Sequence, residues 1–286
     1  MNKIFSQLSI VIVSFKSSEK LIKLISNLDK KFKIIIVENS QDKKLKKKLS
    51  NRKNLFFYYP STNKGFGAGL NYGIKRTATK YVLYLDIDTK INSNQILKLF
   101  NKTKKTKNFG AITAKIRGQN YKDLILGNDK INKMKYVKFN TGCVMMFEKK
   151  TFNRIGGFDE NFFLYFEEAD YYTRCINNNK KIFLFEKILV SHEGSGSIDK
   201  KFKQKYDILR NWHYCWSKFN YYCKHDGYVF AFRKTFPNLI RSLKGMIISI
   251  IKFNYQNFDK HLAEFKGILS AYFRLSSYYR INQYNL

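Results

Sequence analysis

Three short stretches of this chain are apolar at nearly every position. Residues 8–13 read LSIVIV, residues 34–37 read IIIV and residues 81–85 read YVLYL. Strands that are apolar on both faces belong in parallel sheets covered by helices. Helical patterns lie between them. Residues 18–28 place Leu21, Leu24, Ile25 and Leu28 on one face, and residues 42–49 form a short, very basic helix. Residues 55–59 give a further strand closed by Pro60, and residues 67–77 a further helix. The alternation through residue 85 predicts an open α/β sheet, mostly parallel and Rossmann-like, with helices on both faces. Ligands of such sheets bind outside the carboxyl ends of the strands. That rule selects four loops: Ser14-Phe15, Glu38-Asn39, Asn63-Lys64 and Asp86 to Asp88.

Beyond residue 90 the order changes. A helix is predicted over 92–104, strands over 110–116, 135–139 and 143–147, and a short helix over 150–155 stopped by Gly156-Gly157. A helix over 168–177 and a strand over 181–185 follow. From about residue 200 onward the pattern is helical and rich in aromatic residues and lysine. A length of 286 residues with 44% hydrophobic content supports a sizeable core in one or two domains.

The charge balance widens the choice of partners. Lys and Arg number 54 against 21 Asp and Glu, a formal net charge of +33. Nucleic acid, an anionic membrane or a diphosphate substrate could meet that charge, and A/T-rich codon usage also enriches lysine. Cys143, Cys175, Cys215 and Cys223 form no CxxC pair, so neither a zinc ribbon nor a redox motif is expected. Scattered thiols suit a reducing cytoplasm. The stretch before the first strand is too short for a signal peptide. No apolar run reaches the ~18 residues of a transmembrane helix.

Chemistry enters at Asp86-Ile87-Asp88, directly after an apolar strand. Two carboxylates at the mouth of a parallel sheet repel one another unless they share a cation, and oxygen ligands suit Mg2+ or Mn2+. The plainer alternative is a pair of turn-forming aspartates. Asn63-Lys64-Gly65-Phe66-Gly67-Ala68-Gly69 joins a strand to a helix and can offer backbone N–H groups to a phosphate. It contains neither a Walker loop nor GxGxxG, and tight packing explains its glycines as well as phosphate binding does. A second acidic cluster, Glu167-Glu168-Ala169-Asp170, follows Gly156-Gly157 and an aromatic stretch. Acids there complement a helix dipole, but aromatic walls can also raise a carboxylate toward general-base duty. His192 follows a strand-like segment, in a loop of small residues, and can complete a metal shell. His213, His225 and His261 are given no role.

Together these segments resemble family 2 glycosyltransferases of the GT-A fold, especially the rhamnosyltransferase-like branch, over roughly residues 8–220. Val11 to Phe15 looks like the family's opening strand. Val37-Glu38-Asn39-Ser40 looks like its V-D-N-S turn, with Glu for Asp, and Asn63 to Asn71 is close to N-x-G-F-[AG]-x-[AG]-x-N. Asp86-Ile87-Asp88 stands at the D-x-D position. Thr141-Gly142-Cys143 and Ile155-Gly156-Gly157-Phe158-Asp159-Glu160 match the acceptor-side motifs, and Phe166 to Asp170 matches the E-D-x-D run. The resemblance implies a GT-A catalytic domain over 1–198, with a nucleotide half (1–90) and an acceptor half (91–198), followed by a helical region over 199–286.

The activity so implied is inverting transfer of a sugar from a UDP- or dTDP-linked donor to a hydroxyl of a lipid-linked or surface polysaccharide. Phe15, Glu38, Asn63, Gly65 and Asp86 are the expected nucleotide-sugar contacts. Asp88 and His192 are the expected ligands of a divalent metal, Mn2+ or Mg2+. Glu168 is the expected catalytic base, with Glu167 and Asp170 as acceptor contacts or alternative bases. In the last third, aromatic and aliphatic residues interleave with Arg233, Lys234, Arg241 and Lys244. These helices either pack as ordinary core or lie in an anionic membrane interface, which places the protein at the cytoplasmic face of the membrane. A nucleotidyltransferase also uses paired acids and metal. A basic nucleic-acid or membrane-binding protein explains the charge but not the acidic clusters, so no nucleic acid partner is expected.

Overall fold

The computed structural model describes residues 2–130, 133–192 and 203–280. The chain divides into two compact units, Met1–Phe158 with Glu168–Ile198, and Asp159–Glu167 with Asp199–Leu286.

The first unit opens with α1 (Asn2–Phe5), β1 (Leu8–Ser14), α2 (Ser18–Ser26), β2 (Lys33–Glu38), α3 (Lys43–Lys48), β3 (Leu55–Tyr58), α4 (Phe66–Lys75) and β4 (Tyr81–Leu85). It continues through β5 (Thr89–Lys90), α5 (Ser93–Lys105), β6 (Phe109–Ile116), β7 (Ile125–Asp129), β8 (Met134–Val137), β9 (Val144–Glu148), α6 (Lys149–Ile155), α7 (Glu167–Asn177) and β10 (Lys181–His192). The strands form one sheet in the order β3-β2-β1-β4-β9-β6-β10-β8-β7, with β5 pairing β10. The parallel pairing expected from the apolar runs holds across β3-β2-β1-β4 and returns at β6-β10. β9 inserts antiparallel between β4 and β6, and β8, β7 and β5 also pair antiparallel. The sheet is therefore mixed.

Alternation along the buried strands supplies two cores. Ile10, Ile12, Ile34 and Ile36 face one side with Leu21 and Leu24 of α2, Leu45 of α3 and Leu99 of α5. Val11, Ile35 and Val37 face the other, with Leu70 and Ile74 of α4, Phe152 of α6 and Tyr171 of α7. A period of two on each strand makes both faces apolar, so helices must cover both. On α4 the approach is close. A Cβ at Gly73 would lie 2.6 Å from Val11 Cγ1 and 3.0 Å from Val37 Cγ2. α5 starts where Asn92 and Gln95 form a reciprocal capping box.

β10 is longer than the strand predicted over 181–185. The charged pair Glu186-Lys187 interrupts the apolar run, and the ladder with β6 shifts register after Phe185 and resumes at Leu189, opposite Lys115. A bulge absorbs extra residues without ending a strand. β5 and β7 were not expected. β5 has two residues, and β7 is half-exposed at alternate positions without a buried run.

The second unit holds α8 (Lys203–Asp226), α9 (Tyr228–Ile251) and α10 (Tyr255–Tyr272). They pack around Trp212, Trp216, Phe219, Ala231, Ala263 and Ala271. The small-residue loop expected after His192, residues 193–202, lies outside the described residues. Among the described residues no helix is long and apolar enough to cross a membrane.

Candidate active site

β2, β1 and β4 are adjacent and parallel, so their carboxyl ends form one row. Ser14 ends β1 in register with Glu38 at the end of β2, and Asp86 follows β4. The Asp86 backbone N–H donates to the carbonyl of Cys143 at 2.8 Å, and the Thr89 N–H donates back to the Asp86 carbonyl at 3.1 Å. This turn carries Asp86, Ile87 and Asp88 out of the sheet and into β5.

His192 arrives from the far end of the sequence. β5 pairs antiparallel with the end of β10, which sets His192 opposite Thr89. Its Nε2 lies 3.0 Å from Asp86 Oδ2 and 2.9 Å from Asp88 Oδ1. Burial alone would lower the imidazole pKa, but the two carboxylates override it and push the pKa up to about 10. The Asp88 side chain is 1% exposed, and neither of its oxygens accepts a well-aligned hydrogen bond among the described residues. Burial acts to raise its pKa, yet contact with His192 and the charge of Lys20 leave it below the ordinary carboxylate value. One ligand atom from each of Asp86, Asp88 and His192 lies within 4.8 Å of the others. A buried carboxylate with unused lone pairs, a second carboxylate and an imidazole form a donor set that fits Mn2+ or Mg2+.

Glu168, on the first turn of α7, is only partly accessible to solvent. Burial and then the charge of Asp86 push its carboxyl up to about 6, against its own backbone hydrogen bond. Gly142 packs beneath it. A Cβ there would meet Glu168 Cβ and Cγ and Met145 Cε, each at 3.3 Å. Asp170 is committed elsewhere. Its Oδ2 accepts from Arg174 Nε at 2.8 Å, and the same guanidinium donates to the carbonyls of Ile155 and Gly157 at 2.6 Å. Glu167 is buried and belongs with the second unit.

The other expected contacts are local. Glu38 is buried. It accepts from the Ser40 hydroxyl at 2.6 Å and the Asp42 N–H at 2.7 Å, so both oxygens hold its own loop. Burial nevertheless raises its pKa. Asn63 Oδ1 accepts from the Gly65 N–H at 2.9 Å, and Gly65 takes φ 100°, a conformation glycine adopts without strain, to start α4. Asn39 Nδ2 reaches the Gly65 carbonyl at 3.4 Å and ties the two loops. Phe15 is half-buried and directly follows the end of β1. At the end of the glycine-rich motif, Asn71 donates to the Phe158 carbonyl at 2.8 Å and accepts its N–H at 3.0 Å. Asn71 therefore anchors the Gly156-Gly157-Phe158 turn. The sequence reading missed Lys20, one of 54 basic residues, and Gly142 as the floor under Glu168. A pattern search has no means of ranking either.

Comparison with known proteins places this geometry. Over 196 residues the chain is 27% identical to the low-salt glycan biosynthesis hexosyltransferase Agl10 of Haloferax volcanii. That match covers 61% of this chain and spans 63% of the relative's length. The mannosyltransferase PcManGT of Pyrobaculum calidifontis, solved with GDP-Man and Mn2+, superposes with a TM-score of 0.58 at 11% identity, over 93% of this chain and 86% of that one. S. aureus TarS, residues 1–349, gives 0.53 at 13% identity over 90% of both chains. GalNAc-T7 with UDP, GalNAc and Mn2+ gives 0.55 at 12% identity, covering 82% of this chain and 57% of that one. These likenesses establish a mixed α/β sheet of GT-A type with packed C-terminal helices. The model for the glycosyl transferase family 2 matches residues 9–185, and the chain belongs to that family.

Proposed function

We propose that this protein is an inverting glycosyltransferase that moves a sugar from a nucleoside diphosphate sugar to a hydroxyl of a lipid-linked glycan. One observation carries the reading. Asp86, Asp88 and His192 converge at the carboxyl edge of the sheet, and Glu168 is close enough to feel the charge of Asp86. Asp88 and His192 would hold a divalent ion, which when bound would supply positive charge against the diphosphate. Asp86, Glu38, Asn63, Gly65 and Phe15 shape the nucleotide end.

Glu168 takes the proton from the acceptor hydroxyl as its oxygen bonds to the anomeric carbon. The bond from that carbon to the diphosphate oxygen breaks, and the electron pair leaves with the nucleotide. Attack from the face opposite the leaving group inverts the centre, the logic by which a carboxylate activates water in inverting hydrolases. Glu168 is favoured over Asp170, which is engaged by Arg174. A hexose donor is favoured over rhamnose. The Haloferax relative is a hexosyltransferase, and nothing in that match singles out a deoxyhexose. UDP and dTDP remain the expected carriers. The acceptor places the reaction at the cytoplasmic face of the membrane, where soluble nucleotide sugars meet lipid-linked glycans.

Hydrolysis of UDP-, dTDP- and GDP-sugars, each with and without Mn2+, tests the reading. Mn2+-dependent release of one nucleoside diphosphate is expected. Absence of turnover and of any thermal shift with all three donors refutes it.

A further inference from the structure

Helix α9 packs with its small side and leaves its large side out. The positions it buries include Ala231, Thr235, Ser242 and Ser249, one stripe at spacings of four and seven. Gly245 lies on the same side, and a Cβ there would come within 2.5 Å of the His261 ring of α10. Close helix approach therefore uses the small face. Val229, Phe236, Ile240, Leu243, Ile247 and Ile250 recur at spacings of three, four and seven, and all are exposed. The stripe runs on to Ile251, 70% exposed, and Phe253, 80% exposed. An ordinary surface helix of a globular protein does the reverse. A contiguous apolar face of this kind marks a contact surface.

Charge identifies the occupant. From Tyr228 to Phe253 there is no Asp or Glu. Arg233, Lys234, Arg241, Lys244 and Lys252 are all exposed. At about 100° per residue Arg233 and Lys244 flank the apolar stripe, and Lys234, Arg241 and Lys252 fall further round the helix. The facing acid is Glu264 of α10, 3.9 Å from Arg241. An apolar arc whose bordering charges, Arg233 and Lys244, are both basic suits the plane of a bilayer, with the cations at the level of anionic headgroups. A second copy is a poor occupant, because each chain carries a formal charge of +33 and like charges oppose the contact. The helix is not apolar enough to span a membrane, so it lies along the surface, over a length of about 36 Å.

We propose that the outer face of α9, from Val229 to Phe253, seats the protein on an anionic lipid surface. The surface stands on the exposure and charge of α9. Only its purpose, presenting a lipid-linked acceptor, rests on the proposed transferase reading.

The test is co-sedimentation of the full chain with vesicles of phosphatidylcholine, alone or mixed with phosphatidylglycerol, at low and high NaCl. Binding is expected with the anionic vesicles and is expected to weaken with salt. Ile247→Gln with Ile251→Gln lowers the partition at least about tenfold. Arg233→Gln and Lys244→Gln each lower it about fivefold. All four sites are exposed, so unchanged circular dichroism is expected. Three results overturn the proposal. One is anionic binding no greater than neutral binding. Another is unchanged binding by the Ile247→Gln, Ile251→Gln variant. The last is a dimer that this variant converts to monomer while vesicle binding persists. Donor hydrolysis without vesicles reports the catalytic reading separately. Hydrolysis without lipid binding removes only the lipid seat, and lipid binding without hydrolysis removes only the catalytic reading.

Discussion

His192 Nε2 stands 2.9 Å from Asp88 Oδ1 because the last residue of β10 pairs with Thr89, one residue beyond that aspartate. The two-residue strand β5 thus fixes a contact between residues far apart in the chain. Without an added ion, the imidazole lies between the carboxylates and carries the positive charge they require. A divalent ion at the same place needs the imidazole neutral, since only an unprotonated nitrogen binds metal.

Asp88→Ala is expected to reduce Mn2+-dependent transfer by at least about a hundredfold, since loss of a partner outside the ligand shell already costs 10–100-fold. Mn2+ binding measured by water-proton relaxation is expected to fall in parallel. His192→Ala is expected to weaken Mn2+ binding as well. Undiminished Mn2+ affinity in both variants would dismiss the cluster as a metal site.

Glu168 sets a pH dependence. Its carboxyl is pushed up to about 6 by burial and by Asp86, and a base works only when ionised. Transfer is therefore expected to be constant above about pH 7 and to fall tenfold per unit below about 6. Glu168→Gln is expected to abolish transfer without weakening donor binding. Asp170→Asn is expected to keep the acid limb and most of the turnover, and to lose stability through Arg174. The folded-state pKa of Glu168 lies above its ordinary value of 4.5, so its contribution to stability is present below about 4.5 and lost as pH rises through about 6. An unchanged acid limb in Glu168→Gln would move the base elsewhere.

Much of this was legible in the chain because the nucleotide half is built from unbroken apolar runs. β1, β2 and β4 announce themselves by composition, and the rule about carboxyl ends then selects Glu38 and Asp86. β10 was harder. Glu186 and Lys187 sit where a bulge shifts the register, so the apolar pattern stops before the strand does. His192 consequently reads as a loop residue. The acids Glu167, Glu168 and Asp170 are alike in sequence. The motif resemblance points to Glu168 but leaves the other two open, and packing adds the distinction by giving Asp170 an arginine and Glu168 the neighbourhood of Asp86.

Asn71 is expected to matter for stability. Its amide makes two hydrogen bonds to the backbone of Phe158, both buried. Asn71→Ala leaves that N–H and carbonyl without partners, at a cost of about 1–3 kcal/mol for a stranded buried group. Urea unfolding with unchanged slope and a lowered midpoint is the expected result.

Gly142→Ala separates positioning from binding. The added Cβ would stand 3.3 Å from Glu168 Cβ and Cγ, so Glu168 or Met145 must give by a few tenths of an ångström. That is tight for folding but tolerable, whereas proton transfer depends on displacements of this size. A loss in kcat of about tenfold is expected, with KM for the donor unchanged, because the glycine touches Glu168 and lies away from the Asn63–Gly65 loop in sequence. The restoring change is Met145→Leu, which shortens the side chain whose Cε crowds the site. Partial recovery of kcat in the double variant is the expected outcome. A rise in donor KM with intact kcat would show that Gly142 serves donor binding instead.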